Sequence, residues 1–458
     1  MSQPIFTISG LRGVVGKTLF DETVRKYAAA YGKFLGGGTL VIGRDTRPSS
    51  EAIAQSAEEG LKETGCQVVD LGVCPTPTVV HSVRTHQSQI KGGLMITASH
   101  NPLEWNGIKF VISPGRFLLP EEFESFRIFL GKADLPGAAT PSSREPLAEN
   151  RKPICPIENH LQAILMNPLF KDVKGNNLRI GIDAVNGAAA IIADKLLQEF
   201  GCEVVKINCT PERLKKEGFP HRPEPTAENT TELAELVKKE KLDAGFAYDP
   251  DGDRFSCIDN NGNPLGEEAT ICLACLFLLQ FGAASQKPIV VVNLSTTQAV
   301  EDICHRFGAK VERAPVGEVW VVKRMLECGA ILGGEGNGGV ILPEINLTRD
   351  GLVASAIVLG LLSRTKKRLS EIRQEIPRYF IAKSTITLEH FNPESLIAGF
   401  SWRSIDQSDG LRMTGDGWWF HIRKSNTEPL IRVVCEAKDP AQAKLIIEKV
   451  GGRLRSLG

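Results

Sequence analysis

The sequence predicts an α/β protein of several domains. Apolar, β-rich runs alternate with helical patterns through the first three quarters of the chain, the signature of βαβ units around mixed or parallel sheets. At 458 residues the chain exceeds one ordinary core, since domains run to roughly 100–200 residues. After Arg368 the pattern changes to strands and one closing helix.

In chain order, strands are expected over residues 39–43, 93–97, 179–183, 244–248 and 289–293, and helices over 21–35, 49–64, 188–200, 230–239, 297–307 and 352–363. The last segment adds strands at 382–388 and 431–435 and a helix at 440–456. A Pro/Ser/Ala-rich stretch at 137–153 and a basic stretch at 364–368 read as linkers, and a third boundary falls between 253 and 267. The chain is thus expected to divide into residues 1–150, 151–257, 258–368 and 369–458, the last a small α+β domain.

Lys plus Arg and Asp plus Glu number 54 each, so no global field draws the chain to nucleic acid or to an anionic membrane, and an anion site has to be built locally. The opening MSQPIFTISG lacks a basic segment followed by an apolar one, which predicts a cytoplasmic protein. The apolar runs at 271–279 and 352–362 fall short of the roughly 20 residues that span a bilayer and read as buried helices. Eleven scattered cysteines, Cys272 and Cys275 among them, read as reduced thiols packed in the core.

Four segments carry chemistry. Ser99 lies in Thr97-Ala98-Ser99-His100-Asn101-Pro102, just after an expected buried strand, where Asn-Pro stops helical continuation. A hydroxyl in such a turn suits a phosphoryl carrier with His100 as polar neighbour, although the same residues also make a plain turn. Lys109, shortly after, could hold a phosphate or be a solvated strand-end lysine. Asp249, Asp251 and Asp253 alternate around Gly252, a compact loop whose oxygens suit Mg²⁺, with Arg254 next to them offering a fork of donors. A calcium-binding helix–loop–helix is disfavoured because its twelfth position would be Asn260. In Gly333-Gly334-Glu335-Gly336-Asn337-Gly338-Gly339, Glu335 and Asn337 could bind sugar hydroxyls, although alone the segment reads as a glycine-rich hairpin. Finally Arg423, Ser425, Asn426 and Thr427, with Arg432 beyond, concentrate donors that suit a phosphate dianion or, alternatively, a basic surface turn.

In this order the motifs resemble those of the α-D-phosphohexomutase superfamily over essentially the whole chain. Ser9-Gly10-Leu11-Arg12-Gly13 resembles its opening phosphate-contacting motif. Residues 97–102 resemble the phosphoserine loop, 249–254 the metal loop, 334–338 the sugar loop and 423–427 the phosphate loop. Segments 43–47, 72–77 and 219–225 are also similar to family segments. The resemblance implies four domains around a central cleft, the first three sharing a mixed-sheet α/β core.

It also implies that phosphorylated Ser99 donates its phosphate to a hexose phosphate. The hexose 1,6-bisphosphate so formed turns around and returns the other phosphate. Ser99 and the three aspartates would hold Mg²⁺, with Arg12, Lys109 and Arg254 assisting. Glu335, Asn337 and the loop Pro315-Val316-Gly317-Glu318 would contact the sugar, and Arg423, Ser425, Asn426, Thr427 and Arg432 the distal phosphate. The form Gly-Glu-Gly-Asn-Gly-Gly resembles a phosphoglucosamine-mutase-like branch, so glucosamine 6-phosphate is the expected substrate, with glucose or mannose phosphates as the alternative. A lysine found in some relatives is missing from residues 292–297, which leaves His100 and Lys109 as candidate proton acceptors. A Mg²⁺-dependent sugar phosphatase and a non-catalytic sugar-phosphate sensor are the readings from other classes. Expected partners are small molecules only, with no nucleic acid or membrane, and the chain acts as a monomer or homodimer.

Overall fold

A computed structural model describes residues 3–132, 154–282, 287–387, 396–397, 399–424 and 430–457. The linker expected at 137–153 lies outside them.

The first sheet is seven-stranded, made by β1 (Ile5–Thr7), β2 (Gly10–Val14), β3 (Thr39–Arg44), β4 (Gln67–Val73), β5 (Ile90–Ile96), β6 (Trp105–Ile112) and β7 (Arg116–Phe117), in the order β1-β2-β6-β5-β3-β4 with β7 on β6. Helices α1 (Asp21–Phe34), α2 (Ser50–Glu63), α3 (Thr76–Thr85) and α4 (Pro120–Lys132) accompany it. The second unit contains α5 (Pro156–Leu165), β8 (Arg179–Asp183), α6 (Ala193–Glu199), β9 (Glu203–Ile207), α7 (Pro211–Glu217), α8 (Thr231–Glu240), β10 (Ala244–Tyr248) and β11 (Phe255–Ile258), with sheet order β11-β10-β8-β9. The third contains α9 (Glu268–Phe281), β12 (Ile289–Asn293), α10 (Ala299–Arg306), β13 (Lys310–Ala314), α11 (Glu318–Cys328), β14 (Leu332–Glu335), β15 (Gly339–Ile341), α12 (Gly351–Thr365) and α13 (Leu369–Ile372), with order β13-β12-β14-β15.

One design recurs in these three sheets. The core strands β5-β3-β4, β10-β8-β9 and β14-β12-β13 are parallel, and each set ends in an antiparallel partner, β6, β11 or β15. The loops that make those three antiparallel joints are residues 97–104, 249–254 and 336–338. All three leave the carboxyl end of a parallel strand, the edge at which α/β sheets place ligand-binding loops.

The fourth sheet is wholly antiparallel: β16 (Phe380–Ile386), β17 (Ser404–Asp406), β18 (Leu411–Thr414), β19 (Trp418–Lys424) and β20 (Ile431–Ala437), ordered β16-β20-β19-β18-β17 and followed by α14 (Pro440–Leu457). Its core of Leu411, Met413, Phe420, Ile422, Val433 and Val450 is separate from the others.

The second and third sheets share one core, which α9 and α12 enter with apolar residues on nearly every face. Cys272 and Cys275 are buried there as free thiols. Three departures from the expected boundaries and elements appear in this region. β11 runs through Ile258, paired to Gly245, so the second sheet extends past residue 257. Leu369, Ile372 and Ile376 pack into the shared core, so the chain enters the fourth sheet at Phe380 and not at 369. The helix expected over 188–200 is broken at Ile192, φ −134°, into a 3₁₀ turn (Ala188–Ile191) and α6. Among the described residues no helix is long and apolar enough to cross a membrane.

Candidate active site

Ser99 leaves β5 with φ +51°, a left-handed conformation that a non-glycine residue holds only when its surroundings impose it. Arg47, 2% exposed, imposes it by donating to the carbonyl oxygens of Ser99, Asn101 and Pro102 at 2.6 Å and of Trp105 at 3.1 Å. Asp45 orients that guanidinium at 3.2 Å and accepts from the hydroxyls of Ser50 and Thr97. Thr97 Oγ1 in turn accepts the Ser99 amide proton at 2.9 Å. So fixed, Ser99 Oγ donates to Asp249 Oδ2 at 3.1 Å and lies 3.2 Å from His100 Nδ1.

The three aspartates are fully buried, with one oxygen from each within 4.8 Å of the others. Gly252 turns the loop at φ +68°. Asp249 Oδ1 accepts the Arg254 amide at 3.1 Å. Asp251 Oδ2 accepts from Thr76 Oγ1 at 2.5 Å and Lys109 Nζ at 2.8 Å, and Asp253 Oδ2 accepts from Lys109 at 2.9 Å and Arg349 at 2.8 Å. The other oxygens, Asp251 Oδ1 and Asp253 Oδ1, are buried with no hydrogen-bond donor. Buried carboxylate oxygens are not left bare in a stable site, and a hard divalent cation is the partner this donor set fits. Burial and the two neighbouring carboxylates push Asp249 well above the usual carboxylate range. Asp253 is held below that range despite its burial, because Arg349 and Lys109 outweigh the desolvation.

Lys109 is not at a strand end. It sits within β6, 5% exposed, and its ammonium is stabilised because Asp251 and Asp253 overcome a burial that would favour the neutral amine. His100 is driven the other way, well below its usual range, by Arg254, by burial and by Arg12. Arg12, on β2, reaches the Ser99 loop through Asn101 Oδ1 at 3.4 Å. Arg254 is engaged by Glu224, from the 219–225 segment, while its buried Nε has no hydrogen-bond partner and faces Asp253 Oδ1 at 4.0 Å.

Glu335 ends β14 and is 2% exposed. Its Oε1 accepts from Asn293 Nδ2 at 2.8 Å and from the Gly317 amide at 3.0 Å, and its Oε2 from Arg349 at 3.1 Å and Asn337 Nδ2 at 3.3 Å. Gly317, φ +124°, precedes α11. On the fourth sheet Arg423 pairs directly across from Arg432, so their side chains leave the same face. Ser425, Asn426 and Thr427 lie outside the described residues. This sheet docks against the loops after β12 and before α11: His421 Nδ1 is 2.8 Å from Ser295 Oγ, Arg412 Nε donates to the Leu294 carbonyl at 2.9 Å, and the Val316 amide donates to Asp409 at 3.0 Å.

The structure brings the sequence-read serine and aspartates into one buried cluster and links Glu335 to it through Arg349. Sequence reading gave no role to Arg47, Thr76, Glu224, Asn293 or Arg349, which hold them, while Glu318 lay in the 315–318 loop already read as contacting the sugar. Arg47, Thr76 and Glu224 fall in segments that resemble family segments, the signal that pointed to them.

The description "Phosphoglucomutase/phosphomannomutase, alpha/beta/alpha domain" fits residues 3–127 as domain I, 158–262 as domain II and 267–380 as domain III, and the family's C-terminal domain fits 406–451. A protein of Methanopyrus kandleri named "Probable phosphoglucosamine mutase" is 35% identical, covering 96% of this chain and 95% of its own. A "Phosphoglucomutase/phosphomannomutase" of Thermococcus kodakarensis is 33% identical, covering 97% of both chains. The crystal structure of a putative phosphomannomutase from Thermus thermophilus superposes with TM-score 0.82 at 25% identity, covering 100% of both chains. With all four of its domains matched in order, the chain belongs to the phosphoglucomutase/phosphomannomutase family of phosphohexomutases, isomerases that transfer phosphoryl groups.

Proposed function

We propose that the protein interconverts glucosamine 6-phosphate and glucosamine 1-phosphate through a phosphoserine at Ser99 and a hexose 1,6-bisphosphate. The observation that carries the reading is Ser99 Oγ, held in a left-handed turn against Asp249 beside two donor-free buried carboxylate oxygens. Asp249, Asp251 and Asp253, with a phosphate oxygen on Ser99, would hold Mg²⁺, which when bound supplies charge neutralisation at the phosphoryl group.

The remaining steps belong to the chain's own side chains. The phosphorus–oxygen bond to Ser99 breaks as the sugar hydroxyl oxygen bonds to phosphorus, and the neutral imidazole of His100 takes the hydroxyl proton and passes it to the leaving Ser99 Oγ, 3.2 Å from its Nδ1, so that the serine hydroxyl is restored. Lys109 keeps its proton between two aspartates and acts as fixed positive charge. Arg12 and Arg254 contribute donors at the mouth of the same site. Arg423 and Arg432 are like charges directly opposite each other, an arrangement that a bound phosphate dianion stabilises. Ser425, Asn426 and Thr427 would complete that distal site. Glu335 already accepts four hydrogen bonds, so a sugar hydroxyl would replace the longest of them, from Asn337 at 3.3 Å.

The glucosamine assignment is supported by the Gly-Glu-Gly-Asn-Gly-Gly loop and by the names of the archaeal relatives. The name of the Thermococcus relative, phosphoglucomutase/phosphomannomutase, favours glucose or mannose phosphate as a second reading. The test compares isomerisation of glucosamine, glucose and mannose phosphates side by side with a bisphosphate activator, together with the intact mass of the protein. Highest kcat/KM for glucosamine phosphate, one phosphate on Ser99, and no turnover in Ser99→Ala are expected. Unmodified protein with an active alanine variant would overturn the proposal.

A further inference from the structure

Arg349 lies outside every motif read from the sequence, yet its guanidinium joins two of them. Nη2 donates to Asp253 of the metal loop at 2.8 Å, and Nη1 donates to Glu335 of the sugar loop at 3.1 Å. Nε faces Glu318 Oε2 at 3.3 Å, and the Arg349 amide donates to Glu318 Oε1 at 2.8 Å. All three carboxylates and the arginine are buried.

Both ends of the side chain are held. At the backbone end, Asp350 caps α12 through the Leu352 and Val353 amides at 3.0 and 3.2 Å and is itself bonded to His160 at 2.8 Å. At the far end the side chain passes under the sugar hairpin, where a Cβ on Gly339 would lie 2.1 Å from Arg349 Cδ. Only glycine at 339 leaves room for that path.

We propose that Arg349 is a positioning residue that locks the sugar loop to the metal loop and so sets the distance between the phosphoryl group on Ser99 and the sugar hydroxyl that receives it. The inference rests on the mutase reading above. A planar fork with fixed donor directions transmits position between two carboxylates, whereas a lysine ammonium supplies charge without that geometry. The same guanidinium also competes with a divalent cation for Asp253. Its two effects are therefore opposite in sign, holding the sugar acceptor in place and weakening cation affinity.

The test uses the full-length wild type, Arg349→Met and Arg349→Lys, with Mg²⁺ binding followed by calorimetry without sugar and KM and kcat measured on glucosamine 6-phosphate. Arg349→Met should bind Mg²⁺ roughly tenfold more tightly, since one unit of repulsion is removed, while KM rises about 100-fold because a partner of buried carboxylates is lost. Arg349→Lys should keep Mg²⁺ affinity near the wild-type value and still lose the sugar. A residue that only props up the fold would weaken both bindings in the methionine variant and be rescued in both by lysine, and either result overturns the proposal. If Arg349→Met does not fold, the lysine variant decides through its split between KM and Mg²⁺ affinity. Wild-type protein that turned over no hexose phosphate would sink the mutase reading instead. In that case unchanged Mg²⁺ affinity in Arg349→Met would separately overturn the lock.

Discussion

Ser99 is held at φ +51° by a network that stabilises the loop at the expense of that one residue's backbone. A left-handed non-glycine residue costs about 1–2 kcal/mol, and glycine would relieve it. Replacing Ser99 by glycine or by alanine removes the same hydroxyl, so the two variants differ chiefly in backbone freedom. Both should lose isomerase activity, with Ser99→Gly more stable than Ser99→Ala by about 1 kcal/mol in urea unfolding. Equal stabilities would mean that the turn is not strained and that Arg47 holds it for another reason. Arg47 merits attention here because its single guanidinium satisfies four carbonyl oxygens that the tight turn removes from water.

At the level of elements, the site is made by three loops at equivalent joints of three similarly wound sheets, and that arrangement decides what the sequence could reveal. The aspartate loop was legible because its ligands occupy alternate positions of one short turn, and the strands at 179–183, 244–248 and 289–293 because short apolar runs punctuated by polar turns admit few other readings. Arg349 was not, since its partners Glu335, Glu318 and Asp253 lie 14, 31 and 96 residues away. For Lys109 the sequence left phosphate holder, proton acceptor and solvated strand-end lysine all open, because the aspartates that neutralise it are 142 and 144 residues distant.

The 219–225 segment, which presents Glu224 to Arg254, is anchored in the same long-range way by His221 Nε2, 2.9 Å from Asp183. Burial alone would lower the His221 pKa, but Asp183 outweighs it and the value is raised above the usual 6.5. A raised folded pKa means the anchor contributes fully below about 6.5 and is lost as pH climbs through the folded value. Amide exchange in the segment, corrected for intrinsic chemistry, should accelerate between pH 6 and 9 in the wild type and not in His221→Gln. A segment whose protection is flat with pH would refute the anchor.

For the whole molecule, the decisive seam is the one between the third and fourth sheets. The loop after β12 lies between two acids, the half-buried Glu268 and the buried Glu436. Glu268, at the start of α9, accepts the Thr297 amide at 3.0 Å, and Glu436, on β20, accepts the Gln298 amide and the Trp419 Nε1–H, both at 2.8 Å. The same loop supports the proposed sugar site, because Asn293 holds Glu335 and Thr296 Oγ1 accepts the Gly336 amide at 3.1 Å. Burial first, and then the charge of Glu436, push Glu268 up to about 8, and burial raises Glu436 as well. For an acid whose folded pKa is raised, the stabilising form is the neutral one. Its contribution is complete below the unfolded value of 4.5 and is lost as pH rises through about 8. Above that point both acids are charged on either side of the loop, with Lys383 easing the charge on Glu268. The fourth sheet should therefore undock from the sugar site in alkaline solution, seen as faster corrected amide exchange in residues 294–298 and a larger scattering radius between pH 7 and 9. Glu268→Gln removes one of the two charges and should flatten that change while leaving the neutral-pH dimensions as they are. If the wild type and the glutamine variant expand alike, the seam is held by Arg412, His421 and Asp409, and the ionisation of Glu268 and Glu436 plays no part in how the fourth sheet meets the third.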